Sequence, residues 1–320
     1  MLSYSAEEEV SSSAPEGCPQ VLEVGLALGL GLVLVAGTTA AAMLRLRPPA
    51  PFPDRLATIP PDQTLVDNAF YDSQEFSASW WDATSKGWAA GLHALNGVRT
   101  AYFHRVFSAH LGDEQEDKKI ADIGCGGGIA TEQMAKLGWN VTGVDLSHNS
   151  IATASAHAKE NGVANVCYVV GDAYNVPLED ESVDGVIMSD VLEHLHDLDK
   201  AMEEVARILK PGGVLVFDTI NRTWKSYVLA ILLAQSKWLG MVPPHTHDHR
   251  MFVTPQELDK VMTKYGLVSS LDTFRGMKPE LRPLQLLMGR GLWNGAMKTW
   301  KESNDLSGSY LGYALKKRSD

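Results

Sequence analysis

Past residue 62 the apolar positions follow two rhythms. Short runs at 119–123, 140–144, 166–170, 183–189, 213–219, 267–274 and 310–315 are rich in Val, Ile or aromatic residues, which predicts seven strands. Between them lie longer stretches of helical period. The clearest is 197–209, with Leu198, Met202, Val205, Ile208 and Leu209 on one stripe and Lys200, Glu203, Glu204 and Arg207 opposite. It runs into Lys210-Pro211-Gly212-Gly213, a stop-and-turn signal. Strands alternating with helices predict an α/β fold, with the seven strands in one doubly wound sheet. The block 68–111, carrying Trp80, Trp81, Trp88, Tyr102 and Phe103, reads as helices that cover one end of it.

A different pattern precedes the domain. Residues 24–44 hold no charge and, as a helix, are long enough to cross a hydrocarbon core of ~30 Å. The segment exceeds a signal-peptide core, and acids rather than basic residues stand before it, so a membrane-spanning helix is expected. Glu7, Glu8, Glu9, Glu16 and Glu23 lie on one side and Arg45, Arg47 and Arg55 on the other. The positive-inside rule therefore puts the domain on the cytosolic or matrix side of a single-pass membrane protein. The expected organisation is an acidic tail over 1–23, the span over 24–44, a proline-rich extended linker over 45–61 and one domain over 62–320. Within that domain, 223–244 is a hydrophobic insertion whose apolar centre is too short to span. Its flanking Trp, Tyr and Lys residues suit a membrane interface, and a buried helix covering the sheet is the other reading.

Charge narrows the partners. A net charge of -11 argues against nucleic acid, which demands clustered Lys and Arg. Three scattered cysteines, Cys18, Cys125 and Cys167, fit neither a disulfide framework nor a zinc site and suggest a reducing compartment.

The strongest chemical signal is Asp122-Ile-Gly124-Cys-Gly126-Gly127-Gly128, between a strand and a helical stretch. That is the context of a nucleotide-binding loop, where glycines let backbone approach a ligand closely. Asp122 ahead of the glycines suits an ammonium group better than a diphosphate, which disfavours a dehydrogenase and points to S-adenosylmethionine. Asp145, closing the second strand, can accept both ribose hydroxyls, and Asp172, after the third, can receive the adenine amino group. Either aspartate could instead be a cap or turn former.

A second constellation, Ser189-Asp190-Val-Leu-Glu193-His194, follows the fourth strand at the sheet edge where α/β folds place ligands. If a helix begins at Asp190, then Asp190, Glu193 and His194 share a face and could hold one divalent ion, Mg²⁺, Mn²⁺ or zinc. The alternative is a capping box with a packed histidine. Without a metal, His194 is the general-base candidate for a phenol, whose pKa is about 10. His245, His247 and His249 lie in a loop after Pro243 and Pro244, where a ligand set and a polar pocket are both open.

From 68 to 316 the chain resembles the ubiquinone-biosynthesis O-methyltransferases of the class I methyltransferase (Rossmann-like) superfamily. The resemblance rests on Ser79-Trp-Trp-Asp82, Asn96-Gly-Val-Arg99, the glycine loop, Thr142-Gly-Val-Asp145, Leu192-Glu-His194, Thr219-Ile-Asn-Arg222 and Thr246-His-Asp248. It implies methylation of a polyprenylated phenol or quinol, cofactor contacts at Arg99, Gly124, Asp145 and Ser189, and a metal, Mg²⁺ first, at Asp190, Glu193 and His194. The family usually has Glu at the position of Asp190, and its contact with membranes is typically peripheral. Other quinone-biosynthesis enzymes are expected partners, and in a eukaryote the mitochondrial inner membrane is the expected site. Two rivals are a methyltransferase for another small phenolic or carboxylate metabolite and a non-catalytic scaffold; the intact glycine loop weighs against the latter.

Overall fold

The computed structural model describes residues 55, 58–60, 62, 64, 66, 68–84, 88–112, 114–236, 241–280 and 297–318. The expected span over 24–44 and the tail before it lie outside them. Among the described residues no helix is long and apolar enough to cross a membrane.

Strands β1 (Lys119–Ile123), β2 (Asn140–Asp145), β3 (Val166–Val170), β4 (Val183–Ser189) and β5 (Leu209–Ile220) pair in parallel. Strands β6 (Leu267–Ser269), β7 (Arg275–Pro279), β8 (Trp300–Ser303) and β9 (Ser309–Lys316) add an antiparallel half. The order is β3-β2-β1-β4-β5-β9-β7-β8, with β6 also paired to β9. Strand order therefore reverses between β1 and β4, and the crevice beyond their carboxyl ends is where an open α/β sheet binds its ligand.

Both sheet faces are covered. Along β5, Val214 and Val216 join one apolar cluster with Tyr102, Phe103, Val106 and Phe107 of helix α2 (Ala90–Leu111). Leu215 and Phe217 join the other cluster, with residues of two further helices. The twofold repeat of a strand sends neighbours to opposite faces, so a doubly covered strand reads as a continuous apolar run. Ahead of α2 stands α1 (Gln74–Ala78), capped by the Ser73 side chain. Helices α3 (Ile129–Lys136) and α4 (His148–Glu160) follow β1 and β2. Helix α5 (Leu198–Ile208) is capped by Asp197, whose carboxylate accepts from Lys200 N at 3.0 Å. The insertion begins with a capping box between Thr223 and Ser226, forms α6 (Trp224–Ser226) and continues as a π-helical turn, Tyr227–Leu233. Helix α7 (Pro255–Lys264) starts with a second capping box, Thr254 with Glu257.

The seven expected strands become nine among the described residues. The run 267–274 is broken by a 3₁₀ turn at Leu271–Thr273, so β6 and β7 meet β9 at separate places, Lys316 to Ala314 and Leu311 to Tyr310. β8 was not foreseen because its residues, Trp-Lys-Glu-Ser, carry the charges of an edge strand rather than an apolar run. Lys210 to Gly213 does not end a helix in a free turn. The β4–β5 register jumps from Val183↔Leu209 to Gly185↔Val214, so these residues form an irregularity inside β5. The domain also begins earlier than composition indicates: Ile59 is buried, and Arg55 N donates to Glu257 Oε1 at 2.7 Å.

Candidate active site

The glycine loop joins β1 to α3, with positive φ at Gly124, Gly126 and Gly128. Its backbone is fastened to β2: Gly124 N donates to Val144 O at 2.7 Å, and Gly126 N to Asp145 Oδ2 at 2.8 Å. The other oxygen of Asp145 accepts from Ser147 N at 2.9 Å. Trp80 lies on the loop so closely that a Cβ at Gly127 would fall 2.3 Å from its Cγ, and one at Gly126 would fall 2.5 Å from its ring. Trp81 donates from Nε1 to Gly127 O at 3.0 Å. The tryptophan pair is thus a cover that demands these glycines. Leu146, beside Asp145, is 67% exposed, an apolar surface that sequence reasoning missed.

Asp122 lies beneath the loop, 1% exposed, and accepts from Thr131 Oγ1 at 2.6 Å. Burial pushes its carboxyl up to about 7. Its hydrogen bond joins β1 to α3, the two elements on either side of the loop. Asp172 caps its own turn, accepting from Tyr174 N at 2.9 Å.

Arg99, expected at the cofactor, comes from α2. Its buried guanidinium is ion-paired to Asp190 and to Asp218, the latter at 2.9 Å. Ser189 donates to the other oxygen of Asp218 at 2.6 Å. This network corrects the expected metal ligands. Asp190 has φ +53, and the 3₁₀ turn that follows starts only at Leu192, so Asp190, Glu193 and His194 do not share an α-helical face. The Asp190 carboxylate turns to Arg99 instead. The capping-box alternative fails too, because this turn has no side-chain cap.

His247, rather than Asp190, lies with Glu193 and His194. Ligand atoms of Glu193, His194 and His247 all lie within 4.8 Å of one another. Gln235, just past the π-helical turn, holds His247 from both sides: its Nε2 donates to His247 O at 3.1 Å and its Oε1 accepts from His247 N at 3.0 Å. Thr219 of β5 donates to Glu193 Oε2 at 2.8 Å. Glu193 Oε1, His194 Nδ1 and His247 Nδ1 are buried without a hydrogen-bond partner, a state that buried polar atoms rarely adopt. Burial, helped by His247, holds His194 down to about 3, and burial holds His247 down to about 4. Both imidazoles are therefore neutral near pH 7, the form that ligates metal. Burial, reinforced by Asp190, raises Glu193. The ring of Tyr71 meets His194 edge-on at 6.0 Å and stacks with Trp80 at 5.9 Å, so one aromatic side chain touches both the histidine turn and the loop cover.

A mixed sheet whose parallel strands β3-β2-β1-β4-β5 are followed by the antiparallel β9, with a glycine loop at the switch point and an acid at the end of β2, fits a class I S-adenosylmethionine-dependent methyltransferase. Residues 121–217 match the model of a methyltransferase domain. The magnesium protoporphyrin IX methyltransferase of Synechocystis PCC 6803, solved with bound SAH, shares the fold at a TM-score of 0.52 and 17% identity, over 78% of this chain and 97% of its own. Ubiquinone biosynthesis O-methyltransferases of Rickettsia felis and a Chelativorans species are 33% and 34% identical to it. The alignments span 74% and 79% of this chain and 88% and 95% of theirs. The chain belongs to the ubiquinone biosynthesis O-methyltransferase family, and it is an S-adenosylmethionine-dependent O-methyltransferase.

Proposed function

We propose that the protein methylates a ring hydroxyl of a polyprenylated phenol or quinol at a membrane surface, with a divalent cation held by Glu193, His194 and His247. The observation that carries this reading is that Glu193, His194 and His247 bring ligand atoms within 4.8 Å of one another and that each of the three has a buried polar atom without a hydrogen-bond partner. A bound cation supplies Lewis acidity that favours the phenolate of the acceptor. Two imidazoles and one carboxylate suit Mn²⁺ or Zn²⁺ at least as well as the Mg²⁺ expected from resemblance. As a lone general base His194 is poorly matched. With its pKa at about 3 and that of a phenol about 10, proton transfer would be uphill by roughly 10 kcal/mol.

The chain's own groups do the rest. The loop Gly124 to Gly128 lies against the methionyl part of S-adenosylmethionine, Asp145 accepts from the ribose hydroxyls, and Asp172 and Leu146 receive the adenine. Arg99 and Ser189 act through Asp190 and Asp218, fixing the floor between cofactor and acceptor. Tyr71 and Trp80 exclude water from the line of methyl transfer. Leu229, Leu232 and Leu233 of the π-helical turn are 44%, 49% and 39% exposed, which supports a lipid-facing insertion that lets an isoprenoid tail stay in the bilayer. The span over 24–44 anchors the same assembly, with the domain on the cytosolic or matrix side and, in a eukaryote, at the mitochondrial inner membrane.

Chelation tests the proposal. EDTA should abolish methyl transfer while calorimetric S-adenosylmethionine binding persists, and Mg²⁺, Mn²⁺ or Zn²⁺ added singly should identify the ion. His247→Ala should reproduce the chelated state with the loss in kcat, partly relieved as pH approaches the phenol pKa. A rate indifferent to EDTA would remove the metal from the mechanism.

A further inference from the structure

A residue within the proline-rich segment reaches the chemical side of the site. Arg55 is half-buried, and its guanidinium donates to three backbone carbonyls: Met251 O at 2.7 Å and Leu192 O at 3.4 Å from Nη1, and Leu195 O from Nη2. Leu192 and Leu195 bracket Glu193 and His194. Met251 ends the 3₁₀ turn His249–Met251, which follows His247 directly through its cap, Asp248. A single planar fork therefore ties together the two stretches of backbone that carry the three candidate ligands, stretches far apart in the chain. The backbone around it is sewn down as well. Arg55 N donates to Glu257, Ile59 N donates to His196 O at 2.8 Å, and Thr58 bridges Asp197. Glu257 is also ion-paired to Arg222.

The contact with Glu257 comes from the backbone N–H of Arg55, which any residue but proline would supply, so fastening the linker there does not call for a guanidinium. Desolvating a guanidinium is unfavourable unless its donors are satisfied, and here carbonyls of both turns satisfy Nη1 and Nη2. Burial already draws its pKa down to about 10.

We infer that Arg55 is a positioning residue for methyl transfer, locking the Leu192–Leu195 turn to the turn after His247 so that Glu193, His194 and His247 keep their mutual geometry. This rests on the reading of those three side chains as the acceptor-side machinery. Displacement of that machinery by about an ångström is the kind of error that lowers turnover by 10²-fold.

The test compares full-length Arg55→Ala and Arg55→Lys with the wild type and with Arg105→Ala, which removes an exposed arginine paired to Glu302. The expected result for Arg55→Ala is S-adenosylmethionine affinity close to that of the wild type by calorimetry, with kcat lower by about 10- to 100-fold. Added methylguanidinium should restore part of the rate. Mn²⁺ binding, followed by electron paramagnetic resonance, should weaken in parallel. Arg55→Lys keeps the charge but cannot reach both turns, so it should share the kcat defect, and it carries the test alone should the alanine variant not fold. Wild-type kcat in a folded variant overturns the inference. So does a loss of turnover matched by equal loss of cofactor affinity, which would mark a general structural role. Absence of Mn²⁺ binding by the wild type would sink the metal reading alone, leaving kcat and its rescue to decide the role of Arg55.

Discussion

Asp122 and Asp145 sit near the ends of neighbouring strands, on either side of the same loop, and differ in what surrounds them. Asp122 is enclosed and raised to about 7 by desolvation, with Thr131 as its donor. Unfolded, it titrates at about 4. A carboxyl raised by folding contributes stability that is complete below about pH 4 and lost as pH climbs through 7. Asp122→Asn keeps a carbonyl acceptor for Thr131 and loses the titration. Relative to the wild type, its stability should therefore rise by about 1.4 kcal/mol per pH unit between those limits and then level off. Urea unfolding across that range measures it, and a constant difference would count against a buried, protonated Asp122. At this scale the sequence was informative where residues are chain neighbours. The loop and Asp145 were legible from a motif and a strand end, and Glu193 and His194 from their adjacency. His247 was one of three histidines for which a ligand set and a polar pocket were both open, because its place depends on two hydrogen bonds with Gln235 across an irregular loop. The pairing of Asp190 with Arg99 was not legible, because it depends on a left-handed backbone at a non-glycine residue.

Between elements, the contact of the Trp80 segment with the glycine loop is the one most exposed to a single methyl group. A Cβ at Gly127 would meet Trp80 at its Cβ and Cγ, the stiff root of the side chain, so the whole indole must shift. Gly127→Ala should destabilise by about 1–3 kcal/mol, as overpacking does. In a Trp80→Ala background the same change should have much less effect, giving a double-mutant coupling of at least about 0.5 kcal/mol by chemical denaturation. Additive effects would mean that the segment does not bear on the loop. Strand positions through β5 followed from apolar runs because parallel strands buried on both faces have little else to show. The antiparallel half was harder to read: β6 and β7 share one partner strand around a turn, and β8 is short and charged.

For the whole molecule, the proposed anchor and the catalytic domain should be separable at the proline-rich segment, provided Arg55 stays. Removing residues 1–47 should abolish resistance to alkaline carbonate extraction while S-adenosylmethionine affinity is unchanged. A truncated protein that still resists extraction would make Leu229, Leu232 and Leu233 the principal hold on lipid. The domain that remains has its own dependence on completeness. β9 follows every other strand in the chain yet lies inside the sheet, joining Val214 to Leu315 and Ile220 to Ser309. Until it arrives, β5 presents an open apolar edge, and closing so long a loop is slow. A chain whose synthesis stops anywhere between 221 and 308 therefore leaves an unsealed sheet instead of a smaller enzyme. Such a fragment is work for chaperones and degradation machinery, and only chains translated through β9 add to the cell's methylating capacity.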